Sequence, residues 1–362
     1  MVRLSDVFGP DGSPKVPSKE GEISKPKPSS LPPSENAPPP SRFEIPSPTS
    51  PPVKRQQAVT LYKEALEWVR KKFAEAVEGP ISDIAGALEI VERLVKALSG
   101  NGEDLLALTS VWKEENYLYP HSVNVAILSI KVGQGLHSRQ EDLLQLGIAA
   151  LVHDLGMAKV PRALVEKDAP LSGEEKDIVK KHPIYTVQLL QGIKGLDRAI
   201  LDAVSHEHER LDGSGYPRGL REDQVSEYGG IIALVDVYEA LTHPRPYRKR
   251  HTPDEAMKLI AYSMGEQFRV NLIRVLKALI KELSVYPVGS FVQLNTKEVA
   301  QVIKVNKNFP ILPIVDVYLD VSGNRLSEIK RIDLAQEPLI HIKKAVDIFE
   351  MGKGELWLSS MS

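Results

Sequence analysis

Between positions 121 and 236 the chain sets out His121, the adjacent pair His153 and Asp154, His182, His206 or His208, and Asp236. Imidazole nitrogens and carboxylate oxygens are ligands for divalent cations, and burying any one of them without a partner costs on the order of several kcal/mol. Several together in otherwise apolar segments therefore imply a shared cation. With no cysteine in the chain, nitrogen and oxygen alone must hold it, which excludes iron-sulfur clusters, zinc fingers, disulfides and a thiol nucleophile.

The elements carrying these residues read as helices. Pro120 fits a first turn and disfavours helical geometry at Tyr119, so a helix is expected to open near Pro120 with His121 at its start. Leu143 to Val152 is an apolar helix ending in His153 and Asp154. Ser172 with Glu175, and Thr252-Pro253 with Glu255, are capping boxes opening two more helices, the first expected to carry His182. A glycine-rich loop from Asp212 to Gly219 separates the helix expected to bear His208 from the one bearing Asp236. Neighbouring residues on a helix point about 100° apart, so His153 and Asp154 can both face inward only where the helix unwinds. From there Asp154 could bridge two ions. His121, His153, Asp154 and Asp236 would hold one, and Asp154, His182 and His208 the other. Two ions roughly 3.5 to 4 Å apart suit phosphoester hydrolysis.

The rest of the chain frames this region. Residues 1–55 hold about half of the 27 prolines, mixed with Ser, Lys and Glu, and are expected to be a disordered or polyproline-like tail. Residues 56–115 are expected to be a helical N-terminal region, with Leu61, Ala65, Trp68 and Val69 and then Ile84, Leu88, Val91, Leu94 and Leu98 at helical spacing. Residues 116–285 contain the ligands. Residues 286–362 carry β-branched or alternating runs at 291–294, 299–305 and 314–319, with Gly323-Asn324 as a turn, and read as a small β-rich module. A net charge of -2 over 362 residues disfavours a nucleic acid polymer as partner. No apolar run approaches the roughly 18 residues that span a bilayer, so no membrane association and a cytoplasmic location are expected.

The segments Tyr119 to Ala126, Val152-His-Asp-Leu-Gly156, Lys181-His182-Pro183, His208 to Pro217, Val235 to Thr242 and Arg245-Pro-Tyr-Arg248 occur in an order that resembles the HD-GYP family of phosphodiesterases. The resemblance implies a mainly α fold, an HD-superfamily helical bundle. It also implies two divalent metal ions, iron or manganese, and hydrolysis of cyclic di-GMP to linear pGpG or GMP through a metal-activated water, with Asp154 at the centre. It places Tyr216 and Pro217 near the substrate, where they could also meet GGDEF-type diguanylate cyclases, and makes Arg245 and Arg248 candidate phosphate contacts. A homodimer is compatible with the sequence.

The chain departs from the family pattern at three positions. Met157 stands where most members have a phosphate-binding lysine, and Lys159 or Arg162 in the same loop is the candidate replacement. Glu207 stands where a metal-binding histidine is common; it can supply an oxygen ligand, while His206 is expected to be structural. Tyr117 stands where three-metal members have a carboxylate, and Glu114 and Glu115 are too far back to replace it, so two ions are expected. His137, His243, His251 and His341 are given no role. Two further readings remain: a cyclic-dinucleotide sensor or cyclase-docking module without turnover, and an HD phosphohydrolase acting on another nucleotide.

Overall fold

A computed structural model describes residues 52–100, 102–109, 116–243, 250–267, 270–306 and 308–346. The proline-rich segment through residue 51, Glu114, Glu115, Arg245 and Arg248 lie outside the described residues.

The fold is mainly helical with a small antiparallel sheet at its C-terminal end, as expected. Helices α1 (Pro52–Glu78), α2 (Ala87–Ser99) and α3 (Glu103–Leu108) precede the ligand region, one more than the periodicity indicated. Helix α1 begins at Pro52, ahead of the expected start at residue 56. In α2 the buried face is Ala87, Ile90, Val91, Leu94, Val95 and Leu98. Leu88 is exposed and Ile84 precedes the helix, so these two were wrongly grouped with the stripe.

The centre of the bundle is α4 (Leu118–Gly135), which packs on α5 (Gln140–Val152), α1 and α2. It is buried on every face from Pro120 to Gly133, including Ser122, Asn124, Ser129 and Lys131. A helix wrapped on all sides needs no amphipathic stripe, and its polar residues, His121, Ser122, Asn124, Ser129 and Lys131, are buried along with the apolar ones. It starts at Leu118, two residues before Pro120, with the Asn116 side chain accepting from the Leu118 amide at 3.1 Å. Tyr119 is therefore helical, contrary to expectation: the third helical position tolerates proline because its amide would be unpaired anyway.

After α5 the chain tightens into a 3-10 turn (Leu155–Lys159) and a short helix α6 (Arg162–Val165). Then come α7 (Gly173–Val179), α8 (His182–Leu190), α9 (Arg198–His206) and α10 (Glu227–Thr242). The Ser172–Glu175 capping box is present in full. At the other expected box, the Thr252 amide donates to Glu255 at 3.0 Å, but the Thr252 hydroxyl turns to Asp254. Helices α11 (Pro253–Gln267) and α12 (Val270–Leu283) complete the bundle, with α11 packing on α10 and α12 packing on both α4 and α10. No helix of the described residues is long and apolar enough to cross a membrane.

Strands β1 (Phe291–Leu294), β2 (Val299–Lys304), β3 (Ile314–Leu319), β4 (Arg325–Asp333) and β5 (Ile342–Val346) form one antiparallel sheet in the order β4-β3-β2-β1-β5. Its own core comprises Val292, Leu294, Ala300, Val302, Val315, Val317 and Ile332 with Tyr286. The first three strands fall on the expected runs. Strands β4 and β5 lie at the sheet's edges; β4 is largely polar and β5 carries Lys343 and Lys344 side by side, so neither shows the alternation by which a strand is recognised. On the sheet's other face Arg331 forks onto Asp316, its cross-strand neighbour, at 2.8 and 3.0 Å.

Candidate metal centre

Each ligand sits at a point where a helix begins, ends or is wholly enclosed. His121 lies in the first turn of α4. His153 is the C-cap of α5, still helical in its backbone, and Asp154 is the first residue to leave the helix. That is the unwinding that lets both side chains turn inward. His182 opens α8 instead of continuing α7: the backbone breaks at Lys180 and Lys181 because Pro183 has no amide to extend the helix. Glu207 is the C-cap of α9, so His208 lies just past the helix, and Asp236 lies inside α10. All seven candidate ligands are almost wholly buried.

Three of the imidazoles are held by their Nδ1 atoms. His182 Nδ1 donates to the Val179 carbonyl at 2.8 Å, the acceptor left vacant because Pro183 cannot donate to it. His153 Nδ1 donates at 2.8 Å to Ala150 O, one of the last carbonyls of α5. His121 Nδ1 donates at 2.5 Å to the Glu239 carboxylate. A carbonyl can only accept, so in His153 and His182 the Nδ1 carries the proton and Nε2 keeps a lone pair aimed at the cluster. An outer hydrogen bond that fixes the tautomer in this way is how metal-binding histidines are usually oriented.

The inward atoms fall into two groups. His121 Nε2 is 3.1 Å from Asp236 Oδ1 and 3.6 Å from Asp154 Oδ2, which is also 3.8 Å from His153 Nε2. His182 Nε2 is 2.9 Å from His208 Nε2, 3.3 Å from Glu207 Oε1 and 3.4 Å from Asp154 Oδ1. Asp154 thus turns one oxygen to each group. Donors bound to one cation at about 2.1 Å stand about 3 Å apart when adjacent, so the spacings suit a cation in either group. His153 Nε2 and both carboxylate oxygens of Glu207 and of Asp236 are buried with no hydrogen bond from the protein. A protein does not leave five such atoms unsatisfied without compensation, and nitrogen and oxygen donors of this kind fit a divalent metal.

Electrostatics agree with that fit. Burial lowers the pKa of His153, His182 and His208, keeping the rings neutral and their lone pairs available. Burial, with Asp154 nearby, raises the Glu207 carboxyl well above its usual value. Without a cation, Glu207 is the misfit of the cluster; its buried oxygens, beside His182 and His208, could serve as donors to one.

Lys159 and Arg162 are not brought to the cluster. Lys159 Nζ donates to Val77 O at 3.0 Å, and Arg162 pairs with Glu166 at 2.6 Å on an exposed turn. Met157 is packed into the helical core. Tyr216 does reach the cluster, its ring centroid 4.8 Å from that of His208, with Pro217 half-buried beside it. The loop that delivers Tyr216 is held by Glu209, whose carboxylate accepts from the amides of Arg218 at 2.7 Å and Leu220 at 2.8 Å. A Cβ at Gly215 would stand 2.3 Å from the Arg210 nitrogen, so the loop closes on itself only with glycine there. His206 Nδ1 accepts from the Ser226 amide at 3.1 Å and so supports the start of α10.

Other residues of the site were not singled out in the sequence. Thr186 Oγ1 lies 2.8 Å from His153 O and 3.0 Å from His182 O, and accepts from the Gly156 amide at 2.9 Å, joining the two ligand-bearing segments. Lys180 Nζ stands 5.5 Å from the Tyr216 ring centroid, a cation at the edge of the cluster. Glu239, three residues after Asp236 on the same face of α10, was legible as an inward carboxylate, although His121 as its partner was not.

A family model described as an HD domain matches residues 103–269, and one described as a KOW domain associated with HD domain matches residues 291–354. A cyclic di-GMP phosphodiesterase of Pseudomonas aeruginosa is 30% identical over 263 residues, covering 73% of this chain and 63% of that protein. The cyclic di-GMP phosphodiesterase PdeB of Borreliella burgdorferi is 30% identical over 201 residues, 56% of this chain and 52% of that protein. The chain therefore spans between about half and three fifths of these relatives. Among solved structures, an HDG"Y"P protein from Bdellovibrio bacteriovorus superposes with a TM-score of 0.54 at 20% identity, covering 65% of this chain and 74% of that one, a likeness of fold. A helical HD domain whose candidate ligands converge from five segments in the family's order, followed by the KOW module that accompanies such domains, makes this chain a member of the HD-GYP family.

Proposed function

We propose that the chain is a metal-dependent phosphodiesterase that hydrolyses cyclic di-GMP to linear pGpG or GMP at a site for two divalent cations. The observation that carries this reading is the Asp154 carboxylate, with one oxygen facing His121 and His153 and the other facing His182. When bound, a pair of cations supplies an activated nucleophile and neutralises charge developing on the phosphate. His121, His153 and Asp236 would hold one cation and His182, Glu207 and His208 the other, with Asp154 offering an oxygen to each group. An all-nitrogen and oxygen set suits iron or manganese.

The remaining residues bind and orient the substrate. Tyr216 offers a ring face beside the second group, and Pro217 shapes the same wall. Lys180, over that ring, is a cation that can meet a substrate phosphate where Met157 cannot. Arg245 and Arg248 have a phosphate role by resemblance alone, and a docked GGDEF-type cyclase at the Tyr216 loop stands on the same footing. Lys159 and Arg162 would have to leave their present partners to take part.

The test is elemental analysis of anaerobically purified protein together with chromatography of products from cyclic di-GMP. Two equivalents of metal and linear product support the reading. Tight cyclic di-GMP binding without product supports the sensor reading, which the burial of Met157 favours. Cleavage of 3'3'-cGAMP or another nucleotide in preference would move the substrate assignment.

A further inference from the structure

A line of hydrogen bonds runs from the cluster back to the helix that opens the described fold. His121 Nδ1 meets Glu239 Oε2 at 2.5 Å, Asn124 Nδ2 donates to Glu239 Oε1 at 3.0 Å, and Tyr62 Oη donates to Asn124 Oδ1 at 2.8 Å. All four side chains are buried, with Tyr62 fully enclosed. Tyr62 belongs to α1, ahead of residues 103–269 that the HD-domain family model matches.

We propose that Tyr62 is a positioning residue for the metal ligand His121, acting through Asn124 and Glu239, so that helix α1 is part of the metal-binding machinery. An asparagine amide offers oxygen on one side and NH2 on the other, and its orientation is set by its partners. The Tyr62 hydroxyl fixes the oxygen toward α1 and so turns the NH2 to Glu239. Without that donor the amide can flip and present its oxygen to the carboxylate, an acceptor facing an acceptor. Glu239 would then lose the Asn124 bond to one of its oxygens, Oε1, while the other orients the His121 ring. Partners of this kind set both the aim and the basicity of a ligating imidazole. His243 also meets Glu239: its Nδ1 bonds to the Glu239 carbonyl at 2.9 Å and lies 3.3 Å from the carboxylate, while its Nε2 bonds to Thr109 O, at the end of α3.

The inference rests on the cluster being a metal centre. Its test is Mn2+ affinity, measured by chelator competition on metal-stripped protein, for wild type, Tyr62→Phe, Asn124→Leu, Glu239→Gln and the Tyr62→Phe/Glu239→Gln pair. Tyr62→Phe keeps the ring and should weaken one of the two Mn2+ sites by about 10-fold, as loss of an outer partner does. The double variant should bind no more weakly than Glu239→Gln alone, because residues acting through one path are not additive. Wild-type affinity in folded Tyr62→Phe, or effects that multiply in the double variant, would overturn the proposal. Should Tyr62→Phe fail to fold, the same two outcomes are read from Asn124→Leu, alone and combined with Glu239→Gln. Wild type that binds no Mn2+ overturns the metal-centre reading itself, a result distinguishable from wild-type binding in the variants.

Discussion

His182 and His208 face each other through their Nε2 atoms across 2.9 Å. The His182 proton is committed at Nδ1 to Val179 O, so its Nε2 brings a lone pair to that contact. Without metal, His208 must supply a proton there; with metal, both rings can turn lone pairs to one cation. His208→Ala should therefore reduce bound metal from two equivalents to one and cut turnover by more than about 100-fold. Elemental analysis after gel filtration checks it, and two retained equivalents would remove His208 from the ligand set.

Asp154 predicts a different stoichiometry. Its oxygens are divided between the two groups, so Asp154→Ala should lose both cations, where His208→Ala loses one. His153→Ala should abolish turnover with loss of the cation it shares with His121. Retention of one tightly bound equivalent in Asp154→Ala would show that the carboxylate serves a single ion.

Much of this centre was legible because each ligand sits in a short motif whose neighbours report its local geometry. The adjacency of His153 and Asp154 required a helix end, and one is observed there. The expected single helix from Ser172 through His182 failed because the capping box marks where a helix begins, not how far it runs. The supports of the ligands were illegible for another reason. Tyr62 to Asn124 and Asn124 to Glu239 are hydrogen bonds across 62 and 115 positions, and no local pattern encodes them. Strands β4 and β5 escaped similarly, since edge strands facing solvent have no apolar alternation to show.

Glu207 links stability to pH in the metal-free protein. Its folded pKa is raised by burial above the ordinary 4.5, so its contribution to stability is present below pH 4.5 and is lost as pH rises toward the folded value. The buried histidines run the other way, with pKa values lowered from 6.5, and cost stability as pH falls below 6.5. Glu207→Gln should therefore raise the Tm of chelator-treated protein at pH 8, on the order of a few °C, with little gain at pH 4. The same variant should bind the second cation more weakly. A Tm at pH 8 below that of wild type would show that the carboxylate is stabilised by contacts other than metal.

Lys180 tests the substrate side. It is half-buried, with its Nζ 5.5 Å from the Tyr216 ring centroid and no hydrogen bond or ion pair to a candidate ligand side chain among the described residues. A charge-assisted bond to phosphate contributes about 1.5 to 3 kcal/mol, so Lys180→Met should raise KM for cyclic di-GMP about 10-fold or more while leaving metal content and Tm unchanged. Steady-state kinetics with metal analysis on the same samples decides it, and an unchanged KM returns Lys180 to the solvated surface.

Gly156 tests how closely the two halves of the centre are joined. A Cβ there would stand 2.0 Å from the His182 carbonyl oxygen and 2.7 Å from the Thr186 nitrogen, so the turn after Asp154 lies against the start of α8 at backbone distance. Neither partner is a flexible side-chain tip that can swing aside. Gly156→Ala must push the turn and α8 apart, at a cost of about 2 to 3 kcal/mol, or roughly 5 to 10 °C in Tm. Because the displaced segments carry Asp154 and His182, the damage should extend to the second cation. Melting curves with and without saturating Mn2+ separate the two effects: the metal-free Tm falls through packing, and the gap between the two curves narrows as bound metal stabilises less. A lowered Tm with an undiminished gap would mean that the ligands keep their mutual geometry when the turn is moved.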